Sequence, residues 1–553
     1  MISHCFFVVH LRERLHGSGH VSPGRGSNAY YGARVAHLIL CAATLLVYCV
    51  YRWLIYPTFI SPLAKIPNAH PTCSIFPVWL WLQQRRGCEN ASIYRAHEIH
   101  GPIVRVGPNE VSVNSLEGVR KVYIGGFQRT EWFQQFRNYD GTSNLVTFFD
   151  GKTHSIRKRM LAHFYSKSYL LGSEDLWTLS REILCKRLLP DLNDAADERR
   201  GIDVYEMGFA VSAELMAAYI FGVQNGMDTT RKGTEKQRRH YLELSKIKMN
   251  RLKNSKNAVK ELELHCFEMC QKTEQALEQE LEKKPTLDSV ITNPVIYTQL
   301  RASIPATEGI TNEVEVRRLI ASEVIDSIEA ARENCGITLT YVMWQLSKRV
   351  DLQSQLRDEL ASLQSSFSQH SEQLFTSHTL QELDRCSLLD AIVKETLRCH
   401  PPAPGSQRRL SPKGGTVIEG YEIPFGVIVS LSPYTMHRNE SVYPNAHDFK
   451  PERWLQVRGT ADDQRYVDGE DEKSGDTQNP LQNELRKWFL VFGQGGRMCI
   501  GSNFALLVLK LLLASIYTNF DTYIIDEGNT QQKDGIMGGP IGEKLVLGFT
   551  HVR

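Results

Sequence analysis

The stretch FGQGGRMCIG, Phe492 to Gly501, sets a single cysteine on a glycine-rich loop ahead of an apolar run. Gly493, Gly495 and Gly496 free the backbone for positive φ and for close approach to a flat ligand, which residues with a Cβ resist. Such a loop can aim several N–H groups at one sulfur, and those hydrogen bonds tune a thiolate that holds a metal. Cys499 is the candidate ligand, Arg497 can grip an anionic group as a charge-assisted fork, and Phe492 covers the sulfur side. The following SNFALLVLKLLLASIY is apolar nearly all round, which predicts a buried helix with its positive dipole end towards the sulfur.

Upstream, Glu395 and Arg398 in KETLRCHPP lie three apart on a helical pattern, so they share a face and can pair. FKPERW follows with a second guanidinium at Arg453. Between the two, GTVIEGYEIPFGVIVSLSPYTMHR alternates like short strands broken by Gly and Pro. The three motifs, in this order, resemble those of the cytochrome P-450 monooxygenases, whose cysteine signature FxxGxRxCxG is matched at every specified position. The resemblance covers the chain from about Pro57 to its C-terminus. It implies a mainly α fold with small β-sheets, and one large catalytic domain. It also implies haem b with Cys499 as axial thiolate, Arg497 at a propionate, and Glu395, Arg398 and Arg453 as a buried ion triad bracing the haem side.

LIASEVIDSIEAARENCGITLTYVMWQLSKR has helical spacing throughout and resembles the long helix crossing the distal face of the haem. Relatives read (A/G)Gx(D/E)T at its centre, where a small residue makes room for oxygen and an acid and an alcohol relay protons. Here the register gives Ala330, Ala331, Arg332, Glu333 and Asn334: the acid stays and the alcohol is replaced. Asn334 can donate and accept but cannot ionise, so a water held by Glu333 and Asn334 has to carry the proton. The family's WxxxR pattern over the propionates falls on His154 and Lys158, and Arg409 aligns with a further propionate-binding arginine.

Composition agrees with an enzyme of this kind. A net charge of +2 and the lack of any zinc-finger or RNA-binding pattern argue against a nucleic-acid surface. Twelve irregularly spaced cysteines do not form a disulfide framework, and no CxxCH is present for covalent haem. Cys266 and Cys270, one helical turn apart, read as helix packing. Trp132, Phe133, Phe136, Phe148 and Phe149 fall where relatives place a loop over the substrate, and predict an apolar roof. Eleven Lys or Arg residues between Arg231 and Lys260 alternate with apolar ones, reading as a solvated basic helix or a face for anionic lipid. Residues 459–480 read as an acidic surface insertion.

The expected organisation is an extension over residues 1–34, a membrane-anchoring helix over 35–56, a proline-rich hinge over 57–71 and the catalytic domain over 72–553. Val35 to Tyr56 is apolar enough, and at about 30 Å long enough, to span a bilayer core, with Trp53 and Tyr56 suited to its interface. Pro57, Pro62, Pro67 and Pro71 then oppose further helix. Arg12, Arg14, Arg25 and Arg34 would draw the N-terminus to the cytosol, whereas the resemblance implies a catalytic domain facing the cytosol from the endoplasmic reticulum. The sequons at Asn90 and Asn439 would then stay unmodified.

The implied activity is insertion of one atom of O2 into an apolar organic substrate. No dinucleotide fingerprint or flavin module is present, so electrons come from NADPH through a separate cytochrome P-450 reductase, with cytochrome b5 a further donor. Motif style is nearest to fungal microsomal members, many of them in secondary metabolism. Two alternatives stay open on sequence alone: haem chemistry other than oxygen insertion, motivated by Asn334, and a membrane haem-binding protein without catalysis.

Overall fold

A computed structural model describes residues 26–250, 255–282, 293–363, 367, 377–455 and 480–552. Most of the 1–34 extension and nearly all of the 459–480 insertion lie outside them. The chain divides into two units, Met1–Ser61 and Pro62–Arg553.

The first unit is helical. Helix α1 (Gly26–Val50) continues without a break into a π-helical stretch, Tyr51–Ile60. Within Arg34–Ile60 the best 18-residue window has a mean hydropathy of 2.0 and is wholly unburied, as a membrane span requires. Helix was expected to stop before Pro57; instead Pro57 lies inside it, and the Ser61 N–H closes the last turn on the Tyr56 carbonyl at 2.8 Å. Proline still withholds one N–H from the ladder, but the wider i→i−5 turn relieves the crowding between its ring and the preceding turn.

The second unit begins with residues expected to be part of a free hinge. They are stitched to the catalytic unit: Leu63 and Ile66 are buried, Arg105 N–H donates to the Pro67 carbonyl at 2.8 Å, and Ala69 N–H to that of Arg105 at 2.9 Å. Ten strands occur among the described residues. β1 (Ile103–Gly107) and β2 (Glu110–Val113) pair as an antiparallel hairpin around Pro108–Asn109. β3 (Gln128–Arg129), β5 (Gln407–Leu410) and β8 (Ile428–Leu431) complete a five-stranded sheet in the order β1-β2-β8-β5-β3. β4 (Ile202–Asp203), β10 (Val546–His551) and β9 (Phe520–Asp526) form a second sheet, and β6 (Thr416–Ile418) with β7 (Tyr421–Ile423) a hairpin.

Helices supply the bulk. Those that build the site are α2 (Gly151–Ala162), α3 (Val204–Phe221), α4 (Glu235–Asn250), α5 (Glu313–Ser347), α6 (Ser387–Cys399) and α7 (Ser502–Tyr517). α5 starts where the Asn312 side chain accepts from the N–H groups of Val314 and Glu315 at 3.0 and 3.1 Å, with Glu313 and Glu315 complementing the dipole. Its 35 residues make a rod of about 52 Å through the middle of the unit. α3 is as apolar as a membrane span over 18 residues, but 94% of it is buried, and it is the core helix packed on α5. The crossing needs glycine: a Cβ on Gly336 would meet the Phe209 ring at 2.4 Å, and one on Gly208 would lie 3.3 Å from the Gly336 carbonyl. α7, the apolar run after the cysteine loop, is buried as its composition predicts.

Candidate active site

The cysteine loop is held open by its own backbone. Cys499 N–H donates to the Phe492 carbonyl at 2.8 Å and Met498 N–H to that of Gly495 at 2.9 Å. Gly493 and Gly495 both have φ of +71°, and a Cβ on Gly495 would sit 2.4 Å from the Tyr123 carbonyl oxygen, so the loop tolerates no side chain there. Lys158 on α2 fastens the loop from behind, donating to the carbonyls of Gly496 and Met498 at 3.2 and 2.9 Å. The expectation that Lys158 faces a propionate is thus corrected: its ammonium points to the loop carbonyls, and it is not on the cavity wall. The Cys499 thiol opens onto a cavity of about 390 Å³ while protein walls it in. Burial raises its pKa, against a Gly501 N–H and the Lys158 charge that favour the thiolate.

Across the cavity runs one face of α5. Asp326, Ala330, Ala331, Asn334, Cys335 and Thr338 line it at the three- and four-residue spacing of a helical stripe. Asn334 Nδ2 donates to the Ala330 carbonyl at 2.8 Å, and Thr338 Oγ1 to that of Asn334 at 2.7 Å. Glu333 is not on that stripe. It pairs with Arg332 at 2.9 Å, and Arg332, fully buried over the Phe209 ring, also reaches Glu329 at 3.2 Å. Glu329 in turn accepts from Tyr241 and Ser245 of α4 at 2.6 and 3.1 Å. The structure therefore separates the residues expected to act as a pair: Asn334 faces the cavity, and Glu333 belongs to an ion network behind the helix. One residue along a helix is a 100° rotation, which is enough to do this.

The rim is basic. Strand pairing sets Arg129 directly opposite Arg409, and Arg497 and His154 line the same cavity. Arg409 is buried, with the Tyr123 and Phe133 rings 5.0 and 5.6 Å from its guanidinium, and Phe133 lies 4.8 Å from that of Arg129. Arg497 donates to the carbonyls of Phe148 and Phe149, and Arg129 to those of Leu145 and Val146. The aromatic segment thus serves the arginines; the residues from it on the cavity wall are Leu145 and Val146, and not the five expected aromatics. None of the three arginines has a carboxylate within ion-pair distance among the described residues. Burial and mutual repulsion bring Arg129 down to about 9, Arg497 to about 10 and His154 to about 3. Like charges directly opposite on neighbouring strands are unfavourable, so this rim fits a bound dianion. Arg129 escaped sequence reading because its meaning lies in the β3–β5 register.

Behind the loop, Glu395 and Arg398 are wholly buried and joined by bonds of 2.8 and 2.9 Å, and Arg453 donates to Glu395 at 2.9 Å. Lys450 N–H and the Trp454 indole also donate to Glu395, at 2.9 and 2.8 Å, so the tryptophan of FKPERW takes part in the cluster as well as the arginine. Burial alone would raise the Glu395 pKa, but these donors and charges carry it below its ordinary value.

A thiol on a glycine loop, a helical face opposite and a rim of cations without carboxylate partners among the described residues make a pocket suited to an anionic ligand lying against the sulfur. The family model for Cytochrome P450 matches residues 68–544, so the chain belongs to that family, with haem b and an axial cysteine thiolate as its cofactor. It is similar to the cytochrome P450 monooxygenase orf2 of Aspergillus niger, 23% identical over 521 residues, covering 89% of this chain and 94% of that protein. Tryprostatin B 6-hydroxylase of Aspergillus fumigatus is 25% identical over 496 residues (88% and 80% covered), and pisatin demethylase of Fusarium vanettenii 24% over 485 residues (85% and 87%). The protein is a monooxygenase of fungal type, which sets aside the non-catalytic alternative.

Proposed function

We propose that Cys499 is the axial ligand and that the enzyme oxidises an apolar organic substrate in fungal secondary metabolism, drawing electrons from NADPH through a separate reductase, with cytochrome b5 as a further donor. The observation that carries this reading is the opposition of Cys499 and Asn334 across one cavity rimmed by Arg129, Arg409 and Arg497. Those arginines would hold the propionates, with neutral His154 as a further polar contact. Bound haem supplies reductive activation of O2, so that with two electrons and two protons one oxygen atom enters a C–H bond and the other leaves as water. Gly493 and Gly495 keep the sulfur accessible, and Phe492 shields it from water. Ala330 and Ala331 leave room on the distal face. Asn334 spends Nδ2 on the Ala330 carbonyl, which leaves Oδ1 to orient a proton-carrying water, while Glu333 acts through the Arg332 network rather than by touching the reacting atoms.

The relatives named as a hydroxylase and a demethylase support oxidation of a small organic molecule. The exposed apolar helix Arg34–Ile60 supports membrane anchoring, and the resemblance to microsomal family members is what places that anchor in the endoplasmic reticulum with the catalytic unit in the cytosol in this reading. Incubation of anchored enzyme, a fungal reductase, NADPH and isotopically labelled O2 with a library of apolar metabolites tests the reading. Product carrying one labelled atom is expected; turnover supported only by peroxide, or without any oxidant, would refute it.

A further inference from the structure

The distal helix presents to the substrate cavity a carboxylate that has no ion-pair partner among the described residues. Asp326 lines the cavity on the same face as Ala330 and Asn334, four and eight residues earlier in the chain, or about 6 and 12 Å along the axis. It makes no hydrogen bond and no ion pair among the described residues. Its neighbour on the wall, Glu323, is different: one oxygen accepts from Arg157 at 2.7 Å and the other from the Leu145 N–H at 3.1 Å. Ser327 is also satisfied, donating to the Glu323 carbonyl at 3.0 Å. The charged groups that act on Asp326 are Arg129 from β3, Lys248 from α4 and Glu329 on α5 itself, and neither cation comes within ion-pair distance. Burial pushes its pKa up to about 6 against the pull of Lys248 and Arg129, so at neutral pH it is mainly a carboxylate.

An enclosed carboxylate without a partner is costly, and a neutral hydroxyl offsets that cost less fully than a cation does. We infer that Asp326 is a specificity-determining residue that pairs with a protonated amine of the substrate, so that the enzyme takes apolar molecules carrying one basic nitrogen. The nitrogen then sits one to two helical turns from the place beside Ala330 and Asn334 where oxidation occurs. This inference rests on the proposed monooxygenase reading and names its substrate class.

Two matched probes test it: dimethyl(phenylbutyl)amine, whose hindered nitrogen disfavours coordination of iron, and its neutral isostere in which carbon replaces nitrogen. Affinities of the haem-loaded, full-length enzyme at neutral pH are read by spin-state titration and independently by equilibrium dialysis. Wild type is expected to bind the amine at least about tenfold more tightly than the isostere, the ratio that one charge-assisted pair provides. Asp326→Asn should abolish the preference while leaving the isostere's affinity within about twofold, and Asp326→Glu should retain part of it. Equal affinity in wild type, or a preference that survives in Asp326→Asn, overturns the inference. Should Asp326→Asn fail to fold, the wild-type ratio and Asp326→Glu decide. The carbon monoxide spectrum of wild type keeps the two readings apart: without a thiolate band the haem reading fails, whereas a normal band with no amine preference sinks this inference alone.

Discussion

Glu395 shows how much can hang on one side chain. Arg398, Arg453, Lys450 and Trp454 all donate to it in a wholly buried setting, so Glu395→Gln strands two guanidinium groups at a cost of ~3–5 kcal/mol. Chemical denaturation should show that loss, and a variant within about 1 kcal/mol of wild type would contradict it. His97 carries a second consequence. It bridges the Gly101 carbonyl and Ser112 Oγ at 2.8 Å each, and burial lowers its pKa from 6.5 to about 4. A depressed folded value means the unfolded chain binds the proton more readily, so the stability from neutral His97 is intact above pH 6.5 and is lost as pH falls towards 4. At pH 5 the loss is about 2 kcal/mol, and His97→Gln should flatten the stability–pH curve in that window; an unchanged curve would refute it. At this scale, the pairing of Glu395 with Arg398 could be read from spacing, and Arg453, Arg497 and Cys499 from motifs that resemble the family's. Lys158 could not: alignment with a propionate-binding arginine says nothing about a nearby loop carbonyl that captures an ammonium.

Elements decide which side chains meet. The α3–α5 crossing depends on Gly336 lying flat beneath Phe209, so Gly336→Ala forces the ring or the helix to shift. A destabilisation of about 1–3 kcal/mol is expected, visible as a lower melting temperature, and an unshifted melting point would show that the crossing is looser than described. Helical content along α5 was plain from its spacing, but its rotational phase was not. That phase turns Asn334 and Asp326 to the cavity and Glu333 to Arg332. Stepping back from Asn334 by four and eight would have reached Asp326, had the face been known. Strand register hid Arg129 in the same way, since a two-residue strand has too little pattern to reveal its partner.

For the molecule as a whole, two apolar helices pass the same hydropathy test and have opposite fates. Val204–Phe221 is buried in the core, and Arg34–Ile60 is not. Hydropathy alone cannot tell them apart; the polar and proline-rich sequence flanking Arg34–Ile60, and the packing partners of Val204–Phe221, can. Residues 62–71 belong with the catalytic unit, so removing residues 1–61 should leave Pro62–Arg553 folded. The truncated protein is expected in the supernatant after cell lysis with its haem spectrum intact, and one that still pellets with membranes would place further lipid-binding surface on the catalytic unit. Fold class and cofactor were legible through the family resemblance, because the motifs that carry it have short, fixed spacings. The cavity was not, because its walls come from segments far apart in the chain.

The most direct test is the optical spectrum of the reduced protein under carbon monoxide, recorded for wild type and Cys499→Ala. A red-shifted thiolate band in wild type that vanishes in the variant is predicted. A wild type without that band after haem supplementation, or a variant that keeps it, would contradict the assignment of Cys499.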